Sequence, residues 1–406
     1  MSGTIEGRAS WVAAGLTLAI LSISYGSPLL IVVGLKPMTV AMATDRSVLA
    51  LAGSLVWVGT GFGGIPMGWL ADRIGLRAIV LLGTVSMASG LALSATGSLW
   101  ALYVGHGLLI GAIGNGAIYA PLLIYVSRWF DRRRGAAIAL ISSGQYIAGV
   151  VWPSVFEHGI ATFGWRGTMI AYAAVVAVVI PPFMLLLKSP PEPRGAGVGA
   201  AVRGRTVLGL RPNVAQALIC GAAFCCCIPM SIPSSHLVAF CSDIGISPTH
   251  GAAMLSVLLG CAFISRQFWG AMADRIGGLR TVLVGSMFQA VAIGAFLLTQ
   301  DERGLFVIAA AFGLGFSGII PSYSVAIRDL FPSGEASWRI PAVLFTGMSG
   351  MAVGSWFAGL LYDHFGNYAP AFGSGVAFNI LNLTIVGFLV SRLPRRDRHR
   401  VLTVGA

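Results

Sequence analysis

GWLADRIGLR occupies positions 68–77, and GAMADRIGGLR stands at 270–280. Each follows a long apolar run, and each carries Gly, Asp, Arg and Gly in the same order. Other positions repeat at a similar offset. Pro121 and Arg128 match Pro321 and Arg328, each 200 positions on, and FEHG at 156–159 has a counterpart in YDHF at 362–365. Matches in three places make chance a poor explanation. The chain reads as two copies of one unit.

The composition says where that unit lives. Of 406 residues, 56% are hydrophobic and 10% charged, and mean hydropathy is +0.84. A soluble globular chain carries about 25% charge. This is the composition of a polytopic membrane protein. A spanning helix needs about 20 apolar residues. Twelve segments meet that length: 11–34, 48–70, 78–97, 100–127, 135–155, 167–187, 213–240, 250–273, 281–300, 303–327, 339–361 and 369–391. The first has no small-residue cleavage site after it and reads as a spanning helix, not a signal peptide.

The net charge is +12, and all but two of the basic residues, Lys36 and Lys188, are arginine. They sit in short loops between apolar segments, with no basic stripe interleaved with aromatics, so nucleic acid is not an expected partner. With the N-terminus inside, the outer loops hold only Lys36, Arg46, Arg166 and Arg303, and nearly all other basic residues fall inside. The excess of inner positive charge predicts cytoplasmic termini, in the cell inner membrane. Residues 188–212 are rich in Pro, Gly and Arg and read as a flexible cytoplasmic linker. The expected organisation is a six-helix bundle at 1–187, the linker at 188–212, a second bundle at 213–391 and a tail at 392–406. The six cysteines show no metal-ligand or disulfide spacing and read as small buried hydrophobes. No cofactor or metal is called for. Two six-helix repeats joined by a cytoplasmic linker make a transporter architecture, with its site near the midplane between the halves.

One arginine stands apart. Within CAFISRQFWG at 261–270, Arg266 has no charged residue in the eleven positions before it or the seven after. It lies about eight residues from Asp274, or roughly 12 Å along a helix, too deep to snorkel easily. A guanidinium cannot shed its proton. Placing it at mid-bilayer costs at least about 2.5–3.5 kcal/mol. A charge at about 4 Å returns on the order of 4 kcal/mol at an effective dielectric of about 20. No acid of comparable depth occurs in any segment, since Glu157 and Asp363 fall near outer helix ends. The missing partner is therefore expected to be the substrate, and a planar fork suits a carboxylate bidentately. His236 follows Pro229 and Pro233, which are expected to break the helix. It is a candidate for a second hydrogen bond and for taking a proton.

The repeated loop resembles the signature of the major facilitator superfamily between its second and third helices. Gly68, Leu70, Asp72, Arg73, Gly75 and Arg77 match it, and Gly270, Ala273, Asp274, Arg275 and Gly277 match in the second copy. The resemblance covers the whole chain. It implies an all-α membrane protein of twelve transmembrane helices in two pseudo-symmetric six-helix bundles, and alternating access by rocking of those bundles. It also implies that helices 1, 4, 5 and 10 face the cavity, which makes Tyr25, Asn115, Tyr119, Gln145 and Tyr323 further candidate substrate contacts, and that helices 9 and 12, which carry Gln289, Asn379 and Asn382, are peripheral. Gly68, Asp72, Arg73, Gly75, Arg77, Asp274 and Arg275 are then expected to form conformational latches at the cytoplasmic mouth. SYGSP at 24–28, RWFDRRRGAAIAL at 128–140, SSHLVAF at 234–240 and ISRQFWG at 264–270 look like the monocarboxylate transporter and oxalate/formate exchanger branch. In that branch the arginine at the place of Arg266 binds the carboxylate, and bacterial members carry a histidine at the place of His236. Two relay positions differ: Leu29 stands where animal monocarboxylate transporters have lysine, and Ala262 where they have aspartate.

The expectation is a secondary transporter, not an enzyme. It moves small organic anions, foremost a monocarboxylate by proton symport, in the lipid bilayer, as a monomer. The alternatives are anion exchange of the oxalate/formate type and drug efflux. Efflux of cations would call for an acid in the cavity. An enzyme would call for a nucleophile with its base, and a sensor for a soluble signalling domain, and the sequence offers neither.

Overall fold

A computed structural model describes residues 6–130, 133–188, 206–332 and 335–393. Most of the expected linker and nearly all of the expected tail lie outside the described residues. Eleven helical stretches are long and apolar enough to span a bilayer. They are α1 (Arg8–Met42), α2 (Arg46–Ile74), α3 (Leu76–Ser94), α4 (Leu99–Ser127), the stretch Ala136–Leu185, α7 (Pro212–Asp243), α8 (Pro248–Ile276), α9 (Gly278–Ala295), α10 (Glu302–Leu330), α11 (Trp338–Phe365) and α12 (Ala369–Ser391). The stretch Ala136–Leu185 turns at Gly164, whose φ of +70° no helix interior allows. It therefore provides two spans, α5 (136–163) and α6 (165–185), which makes twelve among the described residues.

Buried apolar side chains gather in two clusters, one within α1 to α6 and one within α7 to α12. Tyr146 of α5 and Ala239 of α7 each bury in the cluster of the opposite half. Across the interface α2 packs on α11 and α5 on α8. At Gly149 an added Cβ would overlap Leu259 of α8, so the α5–α8 contact requires a residue without a side chain.

Several spans are irregular. Helix α1 has a turn at Tyr25, α5 at Ser143 and α10 near Ser317 and Gly318. Helix α4 contains a π-helical segment, Val104–Asn115. Such wide turns are uncommon and gather at functional sites. Here the sequence permits it through VGHGLLIGAIGN, whose glycines let α4 lie directly on the GTGFGG run of α2. An added Cβ at Gly63 would strike the Ala112 carbonyl.

One expectation fails at α7. Pro229 and Pro233 do not end it, and it runs unbroken over 32 residues. Neighbouring groups take up the local backbone, as they do in spanning helices. Ser231 donates to the Ile228 carbonyl at 2.8 Å, Ser234 to Met230 at 2.9 Å, and the Gln289 amide to Cys226 at 3.2 Å.

The repeated loops share one backbone solution. Gly75 and Gly277 end α2 and α8 with φ of +85° and +88°, a region open to glycine and strained for other residues. The recurrence of glycine at those two places is a matter of backbone geometry.

Candidate functional site

Between the halves lies a cavity of about 190 Å³. Arg266 reaches it from α8, 8% exposed. No carboxylate pairs with it among the described residues, and its buried Nε has no hydrogen-bond partner there. Its Cζ stands 5.3 Å from the Tyr146 ring centroid, a cation–π contact from the other half. Tyr25 and Tyr119 line the same space, and their rings meet edge to face at 5.8 Å. The turn at Tyr25 and the break at Ser143 bring the phenols of α1 and α5 beside the guanidinium. A buried cation in a cavity lined by three tyrosines, with no acid among the described lining residues, is suited to an anion.

The structure brings Arg266, His236, Tyr25, Tyr119 and Gln145 to one cavity. It does not bring Asn115 or Tyr323 there. Asn115 is fully buried and accepts a hydrogen bond from Ser24 at 2.9 Å. Tyr323 is fully buried and donates to Asn382 at 3.0 Å, and Asn382 donates on to Ser286 at 2.8 Å. Their role here is to join helices. Gln289 and Asn382 also tie helices together, Gln289 through the Cys226 carbonyl of α7 and Asn382 through Tyr323 and Ser286. Asn379 is fully buried too.

His236 is buried and bonded at both nitrogens. Nε2 lies 2.8 Å from the Ser355 carbonyl, and Nδ1 lies 3.0 Å from the Tyr368 hydroxyl. A carbonyl only accepts, so Nε2 carries the hydrogen and Nδ1 accepts from Tyr368. Tyr368 lies between α11 and α12, where burial pushes its hydroxyl above the usual phenol range against the pull of Arg46, so it keeps its proton to donate. Its oxygen accepts from Arg46 at 2.9 Å.

Arg46 is the centre of a cluster that the sequence does not reveal. It is 6% exposed and forks onto Asp243 of the other half, with Nη2 at 2.8 Å from Oδ1 and Nη1 on Oδ2. Its Cζ lies 3.7 Å over the Tyr362 ring. Lys36 pairs with Asp243 at 3.1 Å, and the Asp363 carboxylate accepts from the Arg46 and Ser47 amides at 2.9 and 2.8 Å. This clamp joins α1 and α2 to α7 and α11, at the ends away from the Gly75 and Gly277 loops. The only hint in the sequence is the scarcity of basic residues on that side. The partners of Arg46 lie 197 and 317 positions away.

At the other end the loop residues are more open. Asp72 lies 3.8 Å from Arg128 within its own half, with its side chain 75% exposed. Arg73 covers the Trp69 ring at 3.7 Å. Arg77 donates to the Leu187 carbonyl at 2.8 Å, capping α6. Gly68 has open space around its Cα. In the second copy Asp329 accepts from the Gly278 amide at 3.0 Å, a partnership absent from the sequence reading. Asp274 and Arg275 occupy the positions equivalent to Asp72 and Arg73.

The comparisons agree with this architecture. A sequence model of the Major Facilitator Superfamily matches residues 11–265 and 219–405. Monocarboxylate transporter 13 of Rattus norvegicus is 28% identical over 323 residues, covering 78% of this chain and 74% of that protein. Monocarboxylate transporter 11 of Homo sapiens is 27% identical over 392 residues, covering 91% and 81%. Among solved structures, a bacterial homologue of the human lysosomal transporter Spinster, inward-facing and unoccupied, superposes with a TM-score of 0.72 at 17% identity, covering 96% and 98%. A POT peptide transporter in complex with alafosfalin gives 0.73 at 15%, covering 97% of each chain. These structures share the fold. The chain belongs to the major facilitator superfamily: it is a multi-pass membrane transporter of small molecules resembling the monocarboxylate branch, and not an enzyme.

Proposed function

We propose that this protein carries a monocarboxylate across the cell inner membrane by proton-coupled symport, as a monomer, with both termini cytoplasmic. The observation that carries the reading is Arg266, buried, beside three tyrosines, with no acid of its own among the described residues. A carboxylate supplies the missing charge and accepts from the fork, while Tyr25, Tyr119 and Tyr146 offer hydroxyl donors around it. The halves at 1–187 and 213–391 rock about that site, with 188–212 as the cytoplasmic tether and 392–406 as a cytoplasmic tail. The scarcity of basic residues on the clamp side supports calling that side the outside. The clamp of Arg46 on Asp243 then closes the outer gate, and the loop residues Asp72, Arg73, Asp274 and Arg275 act at the inner mouth.

His236 takes the proton in this scheme. It replaces the relay that Leu29 and Ala262 leave out. Its free lone pair, on Nδ1, faces Tyr368. A proton there turns Nδ1 from acceptor to donor and forces the Tyr368 hydrogen to swing away. It also sets a positive charge across the Tyr368 hydroxyl from Arg46, two hydrogen bonds away. Protonation is thereby coupled to the clamp, which the neutral ring supports.

The binding step is tested by a panel of carboxylates on purified protein, scored by thermal shift. Monocarboxylates stabilise the parent protein and not Arg266→Ala. Equal stabilisation of both proteins would remove Arg266 from the site.

A further inference from the structure

Arg266 and its tyrosines occupy one end of the cavity, and the rest of the wall has a different chemistry. Trp57 of α2, Met230 of α7, Leu259 of α8, and Met348 and Met351 of α11 line it. Of the polar residues there, Ser234 donates to Met230 and Ser231 carbonyls at 2.9 and 3.1 Å, and both nitrogens of His236 are bonded, while Ser235 and Gln145 also line the cavity. A ligand hydroxyl or second carboxylate placed against Trp57 and the methionines would lose its water without gaining a partner. Methionine side chains adapt to an aromatic or branched outline and make favourable sulfur–aromatic contacts. The space is also larger than a short acid needs. At about 10–15 Å³ for each water-sized group, 190 Å³ holds roughly thirteen to nineteen such groups. Lactate would fill about a third to a half of that.

We infer that the substrate is a monocarboxylate with a bulky apolar body, aromatic or branched aliphatic, and that short hydroxy acids and dicarboxylates are poor ligands. The inference rests on the reading of Arg266 as the carboxylate site. Gly53 of α2 offers a way to test the body alone. It lines the cavity, and an added Cβ there meets only Ile31 Cγ2 at 3.7 Å, an ordinary contact, so a larger side chain grows into the cavity.

The experiment is equilibrium binding to the purified full-length protein of phenylacetate, isovalerate, lactate, malonate and the neutral phenylacetamide. It is run on the parent, Arg266→Gln and Gly53→Leu. Phenylacetate is expected to bind the parent at least about tenfold more tightly than lactate or malonate, the scale of discrimination an apolar pocket achieves. Gly53→Leu should weaken phenylacetate by about tenfold or more and leave lactate within about threefold. If Gly53→Leu does not fold, the parent's ranking decides the matter. Arg266-dependent binding in which lactate or malonate equals phenylacetate would overturn the apolar body and leave the carboxylate site standing. Phenylacetamide binding as tightly as phenylacetate, indifferent to Arg266→Gln, or no binding by any acid, would overturn both.

Discussion

Arg266 concentrates the question at the scale of a single residue. Its charge cannot be titrated away, and the described structure gives it a ring face in place of a counter-ion. Arg266→Lys keeps the charge and loses the fork. Hydrogen bonds to charged groups contribute about 1.5–3 kcal/mol each. One lost bond therefore predicts carboxylate affinity about ten- to hundredfold weaker, measurable by competition binding. Arg266→Lys binding within about twofold of the parent would show that geometry is not part of recognition. Arg266 was legible in the sequence because charge in an apolar span is conspicuous. Tyr146 was not: nothing in GQYIAG distinguishes it, and only packing of α5 on α8 sets its ring against the guanidinium. Asn115 and Tyr323 are the converse case, since the structure places both away from the cavity. A polar residue in a cavity-facing helix looks like a ligand until its partner, Ser24 or Asn382, is known.

Whole elements carry the clamp and the close helix contacts. Asp243→Asn leaves Arg46 buried without its carboxylate, and breaking such a pair costs about 3–5 kcal/mol. The prediction is a shift toward the state open at the clamp end. It is read as faster labelling of Ser355→Cys by a membrane-impermeant maleimide added on that side. Unchanged labelling would show that the clamp does not hold the gate. Within one half, α2 meets the π-helical part of α4 through glycine, and Gly63→Val should lower Tm by driving a side chain into the Ala112 backbone. Overpacking of this kind costs about 1–3 kcal/mol. A Tm equal to that of the parent would mean that α4 has room to move. The spans and the repeated loops were plain in the sequence, because apolar length and a positive-φ glycine are local properties. The clamp was not, since its charges come from four spans and no short segment contains the pattern.

On the scale of the whole molecule, two bundles meet around a deep cation, Arg266, that has no carboxylate partner among the described residues, and are joined at one end by a buried ionic cluster. An empty carrier that occludes this cavity carries Arg266 without an anion, at a cost of several kcal/mol. Symport requires that passage, and exchange does not. Protonation of His236 from the outside is expected to loosen the clamp and open the outer gate, so that proton and anion enter together and are released together on the inside. The direct test is uptake of a labelled monocarboxylate into proteoliposomes that hold no internal substrate, under an imposed inward proton gradient. The account predicts accumulation above the external concentration, lost in Arg266→Ala and uncoupled from the gradient in His236→Ala. Uptake that appears only with internal substrate and ignores the proton gradient, or that proceeds at the parental rate in Arg266→Ala, would contradict it.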